Sequence, residues 1–220
     1  MQYLRYSAVA MALVSVISGT GVFAATLPIQ DQQGNPLVDA VILVDGIAQR
    51  PVTSNIMDQV DRQFDPRVLV VPAGTDVEFP NRDDVRHQVY SFSPTKPFEL
   101  RLFQGTDAPP VTFEKAGPVV LGCNIHDAMI GYILVTDSPW YAISDAEGEI
   151  DLDYLPTGTV AVSWWHPSLG DKLPVSLGDI ELHTLASLDL AVDNMTADVA
   201  EKPLSPLQMR FNKAAGKHAD

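Results

Sequence analysis

From about Asp39 onward the chain is written in short apolar or alternating runs that break at proline, glycine and acidic clusters. Such runs, rich in Val, Ile and Phe, read as β-strands, because branched side chains pack well on a pleated surface whose residues alternate between two faces. The expected strands are DAVILV (39–44), RVLVVP (67–72), DVEFP (76–80), HQVYSF (87–92), FELRLF (98–103), PVTFEK (110–115), GPVVLGC (117–123) and IGYILVT (130–136). EIDLDYL (149–155), TVAVSWWH (159–166) and LASLDLAV (185–192) continue the series. PAGT, AEGE and PTGT supply turns between them. Helical periodicity is missing through the middle of the chain, and 17 prolines with 14 glycines oppose it further. The pattern predicts an all-β protein built as a sandwich or sandwiches with Greek-key connections.

Before these strands lies a different kind of segment. Arg5 precedes an apolar stretch from Ala8 to Ile17 and the small-residue run GVFAAT, the composition of a cleavable export signal over residues 1–25. Ser15, Ser18, Gly19, Thr20 and Gly21 interrupt the stretch, so it falls short of a comfortable bilayer span, and no membrane span is expected after cleavage. About 195 of the 220 residues then remain, enough for two modest β domains. The net charge of −14 becomes −15 without Arg5, which disfavours nucleic acid and favours a basic protein partner. Residues 199–220 read as a locally basic tail with a frayed end.

A single cysteine changes the picture. Exported proteins usually pair their thiols, yet Cys123 has no intramolecular partner, so it is buried and inert, reactive, or bound to a metal. Its neighbours favour the last. GCNIHDAMIGYI spaces Cys123, His126 and Met129 three apart between two expected strands, so one compact loop can aim three donor atoms at a point. His87, at the head of HQVYSF, supplies a second imidazole from another strand. A thiolate, two imidazoles and a weak thioether suit copper moving between its two oxidation states, whereas zinc has no special use for the thioether.

Cys-x-x-His-x-x-Met after a distant strand histidine resembles the cupredoxins, and the loop spacing is similar to that of amicyanin. RVLVVPAGTDVEFPNRDDVRHQVYSF resembles the cupredoxin run of strand, turn, strand ending in Asn, and first copper histidine. The resemblance covers about 52–137. It implies a Greek-key copper domain over 50–137 with one type 1 copper ion, His87, Cys123 and His126 as equatorial ligands, and Met129 as axial ligand. It also implies that Asn81 braces the ligand loops by hydrogen bonding. Arg86 stands where amicyanin-like chains often carry proline, and Asn124–Ile125 where Thr-Pro is common, so the potential and docking surface do not transfer.

Beyond Asp137, YAISDAEGEIDLDYLPTGTVAVSWWHPS resembles a carboxypeptidase-regulatory-like or transthyretin-like β-sandwich, here smaller and set over 138–198. IQDQQGNPLVDAVILVDG resembles the first hairpin of the same family, so 27–49 would complete that sandwich around an inserted copper domain. The plainer alternative makes 27–49 the opening strands of the copper domain. Across its length the chain is similar to exported bacterial proteins labelled methylamine utilisation protein. The expected function is that of a periplasmic blue-copper carrier of single electrons, passing them to a redox partner such as a basic cytochrome or dehydrogenase. Two other readings stay open: a copper-binding, sensing or delivery protein of the cell envelope, and a non-redox β-sandwich interaction module. An enzyme is not expected, since multicopper oxidases and nitrite reductases need further histidine clusters and the chain has only five histidines.

Overall fold

The computed structural model describes residues 25–46 and 54–192. Nearly all of the expected export signal, residues 47–53 and everything after Val192, including the 199–220 tail, lie outside the described residues. The strands run in chain order as β1 (Thr26–Asp31), β2 (Val41–Val44), β3 (Asp58–Val60), β4 (Gln63–Asp65), β5 (Val68–Pro72), β6 (Thr75–Val77), β7 (His87–Ser91) and β8 (Phe98–Phe103). They continue as β9 (Val111–Phe113), β10 (Gly117–Gly122), β11 (Ile130–Thr136), β12 (Trp140–Ile143), β13 (Glu149–Asp151), β14 (Val160–Trp165), β15 (Val175–Ile180) and β16 (Leu188–Leu190). Two single-turn 3-10 helices, Pro167–Leu169 and Leu182–Thr184, are the helical segments among the described residues. The protein is all-β.

A five-stranded sheet in the order β5-β11-β10-β7-β8 organises the molecule. β5 and β11 pair in parallel from Val68 opposite Tyr132 to Pro72 opposite Thr136, while β10 and β11 are antiparallel. Both strands of the parallel pair are nearly continuous apolar runs, which sheets adopt when covered on both faces. That is what happens here. Leu69, Val71, Ile133 and Val135 join an apolar cluster with Phe79, Phe113, Cys123 and Met129. This cluster is closed on its far side by the β3-β4 and β6-β9 ribbons, through residues such as Phe64, Val77 and Phe113. Val68, Val70 and Leu134 point the other way, into a second cluster with Ile42, Val44, Trp164 and Trp165.

That second cluster belongs to a four-stranded sheet, β12-β2-β14-β15, and a three-stranded one, β13-β1-β16. Within the first of these, β2 lies between β12 and β14, with Val41 opposite both Ile143 and Trp165 and Leu43 opposite both Tyr141 and Ser163. All four β2 residues are buried, as a central strand requires. Residues 41–44 therefore pair with strands that follow Asp137 in sequence, across the whole intervening chain. Tyr132 stacks edge-on against Trp165 at 5.6 Å, and the Ser93 hydroxyl bonds both Val120 N–H and the Asp171 carboxylate, tying the two parts together.

Several strands carry no legible sequence signal. β3 and β4 are three residues each and turn through Asp61 and Arg62, both at positive φ (52° and 60°), with no Asn-Gly to mark the hairpin. β15 is largely exposed, an edge strand paired only with β14 among the described residues, so its apolar alternation is weak.

Candidate metal centre

Three elements converge at one end of the five-stranded sheet. Cys123 follows the last residue of β10, Met129 precedes the first residue of β11, and His87 opens β7. β10 is the neighbour of both β11 and β7, with Gly122 opposite Ile130 on one side and Tyr90 on the other. The hairpin register therefore places the Cys123–Met129 loop over the start of β7. Glycine at 122 leaves room for the Tyr90 ring: a Cβ there would sit 2.7 Å from the Tyr90 hydroxyl oxygen, and the ring would have to shift. The register of β7 against β8 shifts between His87 and Val89, a bulge that re-aims a side chain at the rim of a sheet.

The structure brings His87, Cys123 and His126 together, with one donor atom from each lying within 4.8 Å of the others. His87 Nδ1 is 3.7 Å from Cys123 Sγ and 3.3 Å from His126 Nδ1, and the two rings tilt at 54°. His87 is fully buried and Cys123 is 1 % exposed, whereas His126 is only partly covered and Ile125 beside it is 48 % exposed. Met129 is buried in the same apolar cluster as Cys123, and its amide closes the loop by donating to the His126 carbonyl at 2.9 Å. Asn81 is buried on the His87 side. Its Nδ2 donates to the carbonyls of Val85 and Phe103, and its Oδ1 accepts from the Asp83 amide.

A cation fits these spacings. With the bond lengths zinc makes, about 2.0 Å to nitrogen and about 2.3 Å to sulfur, separations of 3.3 Å and 3.7 Å subtend angles of roughly 110° and 120° at an ion. Those angles suit a trigonal or tetrahedral site. The far nitrogen of His87 supports the same reading: Nε2 lies 2.7 Å from Asp83 Oδ2. A carboxylate accepts only, so Nε2 carries the proton and the Nδ1 lone pair faces His126 and Cys123. Only a proton or a metal cation can be shared at that point. Two imidazoles and a thiol make a nitrogen-and-sulfur donor set of the kind soft and borderline metal ions such as copper and zinc accept.

Asp83 is the site residue that sequence reasoning passed over. Partial burial by itself would raise its carboxyl, but the Arg62 amide, the His87 ring and the Asp61 amide outweigh it and hold the group below the usual carboxylate range. The available signal was an acid four residues before His87, and Asp84 beside it is equally plausible in sequence. Elsewhere, His166 and His183 each bond backbone carbonyls, Val38 and Leu155 respectively. No helix among the described residues is long and apolar enough to cross a membrane.

No protein-family model matches the sequence, and no curated protein matches it. Among solved structures, the chain is similar to a novel purple cupredoxin from Nitrosopumilus maritimus at 24 % identity, covering 37 % of this chain and 96 % of that one, with a TM-score of 0.33. An oxidised amicyanin variant is similar at 21 % identity over 44 % of this chain and 99 % of the other, TM-score 0.35. A copper-containing nitrite reductase from Thermus scotoductus is 28 % identical over 50 % of this chain but only 27 % of its own, TM-score 0.36.

Proposed function

We propose that this chain is an exported type 1 copper protein that carries single electrons, with copper held by His87, Cys123, His126 and Met129. The observation that carries the reading is the meeting of one donor atom each from His87, Cys123 and His126 within 4.8 Å, with Met129 buried in the same apolar cluster as Cys123. When bound, copper supplies a one-electron couple, its Cu(I) form favoured by the soft sulfurs and its Cu(II) form accepted by the imidazoles. The chain's part is to hold the donors still. Cys123 and Met129 are anchored in a packed core, His87 is pinned by Asp83, and the strands on either side limit rearrangement. His126 is the least covered donor, and it offers the electron a short exit between Ile125 and Ile130, which are 48 % and 39 % exposed.

In this reading residues 50–137 form the copper domain, and 138–198 with 27–49 form a second β-sandwich around it. The domain acts as a carrier without catalytic turnover in the periplasm, and an acidic surface meets a basic redox partner. Copper titration of the full mature chain, followed by visible absorption and electron paramagnetic resonance, tests the reading. An intense thiolate-to-copper band that disappears in Cys123→Ser is the expected result. A wild-type protein that binds copper without that band, or releases it readily to a competing chelator, would favour copper delivery over electron transfer.

A further inference from the structure

We infer that Asp83 is a positioning residue that fixes the tautomer and orientation of His87 and, through it, sets the balance between the two oxidation states of a metal held at Nδ1; the second half of this rests on the copper reading above. The Asp83 side chain is a node between two parts of the fold. Oδ1 accepts from the Asp61 amide at 2.7 Å, and Oδ2 accepts from the Arg62 amide at 2.9 Å and from His87 Nε2 at 2.7 Å. Asp61 and Arg62 are the two central residues of the β3-β4 turn, and both adopt left-handed φ without being glycine. A left-handed non-glycine residue costs free energy, and such residues persist where surrounding interactions over-determine them. Here the unfavourable turn aims two consecutive amides at one carboxylate.

The remaining contacts complete the clamp. The Asp83 amide donates to Asn81 Oδ1, and its carbonyl accepts from Gln104 Nε2, so backbone and side chain are both held. Asn81 in turn bonds Phe103, the residue opposite His87 in the β7-β8 register. The His87 side chain is fully buried and that of Asp83 is 11 % exposed, so water competes poorly for the Nε2 proton. A carboxylate bonded to the distal nitrogen of a ligating imidazole orients the ring and strengthens it as a donor, and losing such a partner lowers metal affinity about 10–100-fold. A stronger nitrogen donor favours Cu(II) over Cu(I). Asp83 therefore acts to lower the reduction potential.

The test uses the full mature chain and the variant Asp83→Asn, which keeps the shape and removes the charge. In the metal-free wild type at about pH 8, above the ordinary histidine range, long-range proton–nitrogen correlation is expected to find the His87 proton on Nε2. In Asp83→Asn both tautomers are expected. After copper loading, the variant's preference for Cu(II) over Cu(I) falls about tenfold, which for a one-electron couple raises the potential by about 59 mV. A wild-type proton on Nδ1 overturns the inference, as does an Asp83→Asn protein with unchanged tautomer and potential. Should Asp83→Asn not fold, the wild-type tautomer decides alone. A wild type that lacks the thiolate band sinks the copper reading only, since the metal-free tautomer still reports on Asp83.

Discussion

Met129 separates packing from ligation more cleanly than any other residue of the site. Its side chain is 1 % exposed and lies in the same apolar cluster as Cys123, so it has an ordinary structural reason to be there. Full burial of a methionine contributes roughly 1.5–3 kcal/mol from transfer out of water, and truncation adds the cost of an unfilled cavity. Met129→Ala in the metal-free protein is therefore expected to lose about 2–5 kcal/mol. Met129→Leu conserves the volume and should lose less than about 1.5 kcal/mol. The two variants diverge once copper is present. Leucine offers no sulfur lone pair, and a missing axial thioether shifts both the visible spectrum and the reduction potential of a thiolate–imidazole copper site. Urea denaturation without metal measures the packing, and voltammetry with absorption after loading measures the ligation. If Met129→Leu matches wild type in all of these, the thioether is core filler and the four-donor assignment fails.

Two further outcomes follow from the fold. Ile133 and Leu134 are adjacent and fully buried but face opposite apolar clusters, so Ala at either should cost about 2–5 kcal/mol. Only Ile133→Ala shares a cluster with Cys123 and Met129, and only it should disturb the copper spectrum; an equal disturbance from Leu134→Ala would refute the division of the core. His166 is pushed below its ordinary value of 6.5 chiefly by burial, helped by the Arg67 charge and opposed by its bond to Val38 and by Asp39. Its Nδ1 accepts from the Ser168 amide and would lose that bond on protonation. Because the unfolded chain takes up the proton first, this contribution is complete above pH 6.5 and declines as pH falls below it toward the depressed folded value. His166→Gln should flatten stability against pH in that window, and an unchanged slope would remove His166 as its source.

Much of the site was legible because its signal is local. Cys123, His126 and Met129 fall on one loop, and the flanking runs PVVL and IGYILVT are apolar enough to declare themselves strands. Alternation and turn chemistry likewise marked most of β2, β5, β7, β8, β10 and β11. The β3-β4 ribbon escaped notice because its turn uses Asp61 and Arg62 at positive φ, residues that do not advertise a hairpin. β15 escaped because an exposed edge strand needs no strict apolar period.

Composition and spacing by themselves determined that the chain is all-β and that its one thiol stands in a ligand-like loop, and they offered His87 as a second imidazole from a neighbouring strand. Three matters belonged to the tertiary structure. Strand pairing decided that β2 lies between β12 and β14, since a run such as VILV pairs equally well with many partners until the core selects one. Two-sided burial of β5 and β11 decided how the five-stranded sheet and the remaining strands share a wall. The choice of Asp83 over Asp84 as the partner of His87 depended on a carboxylate reaching Nε2 at 2.7 Å while two turn amides from a distant hairpin fixed it in place. Contacts of that kind are set by long-range geometry, which no pattern along the chain encodes.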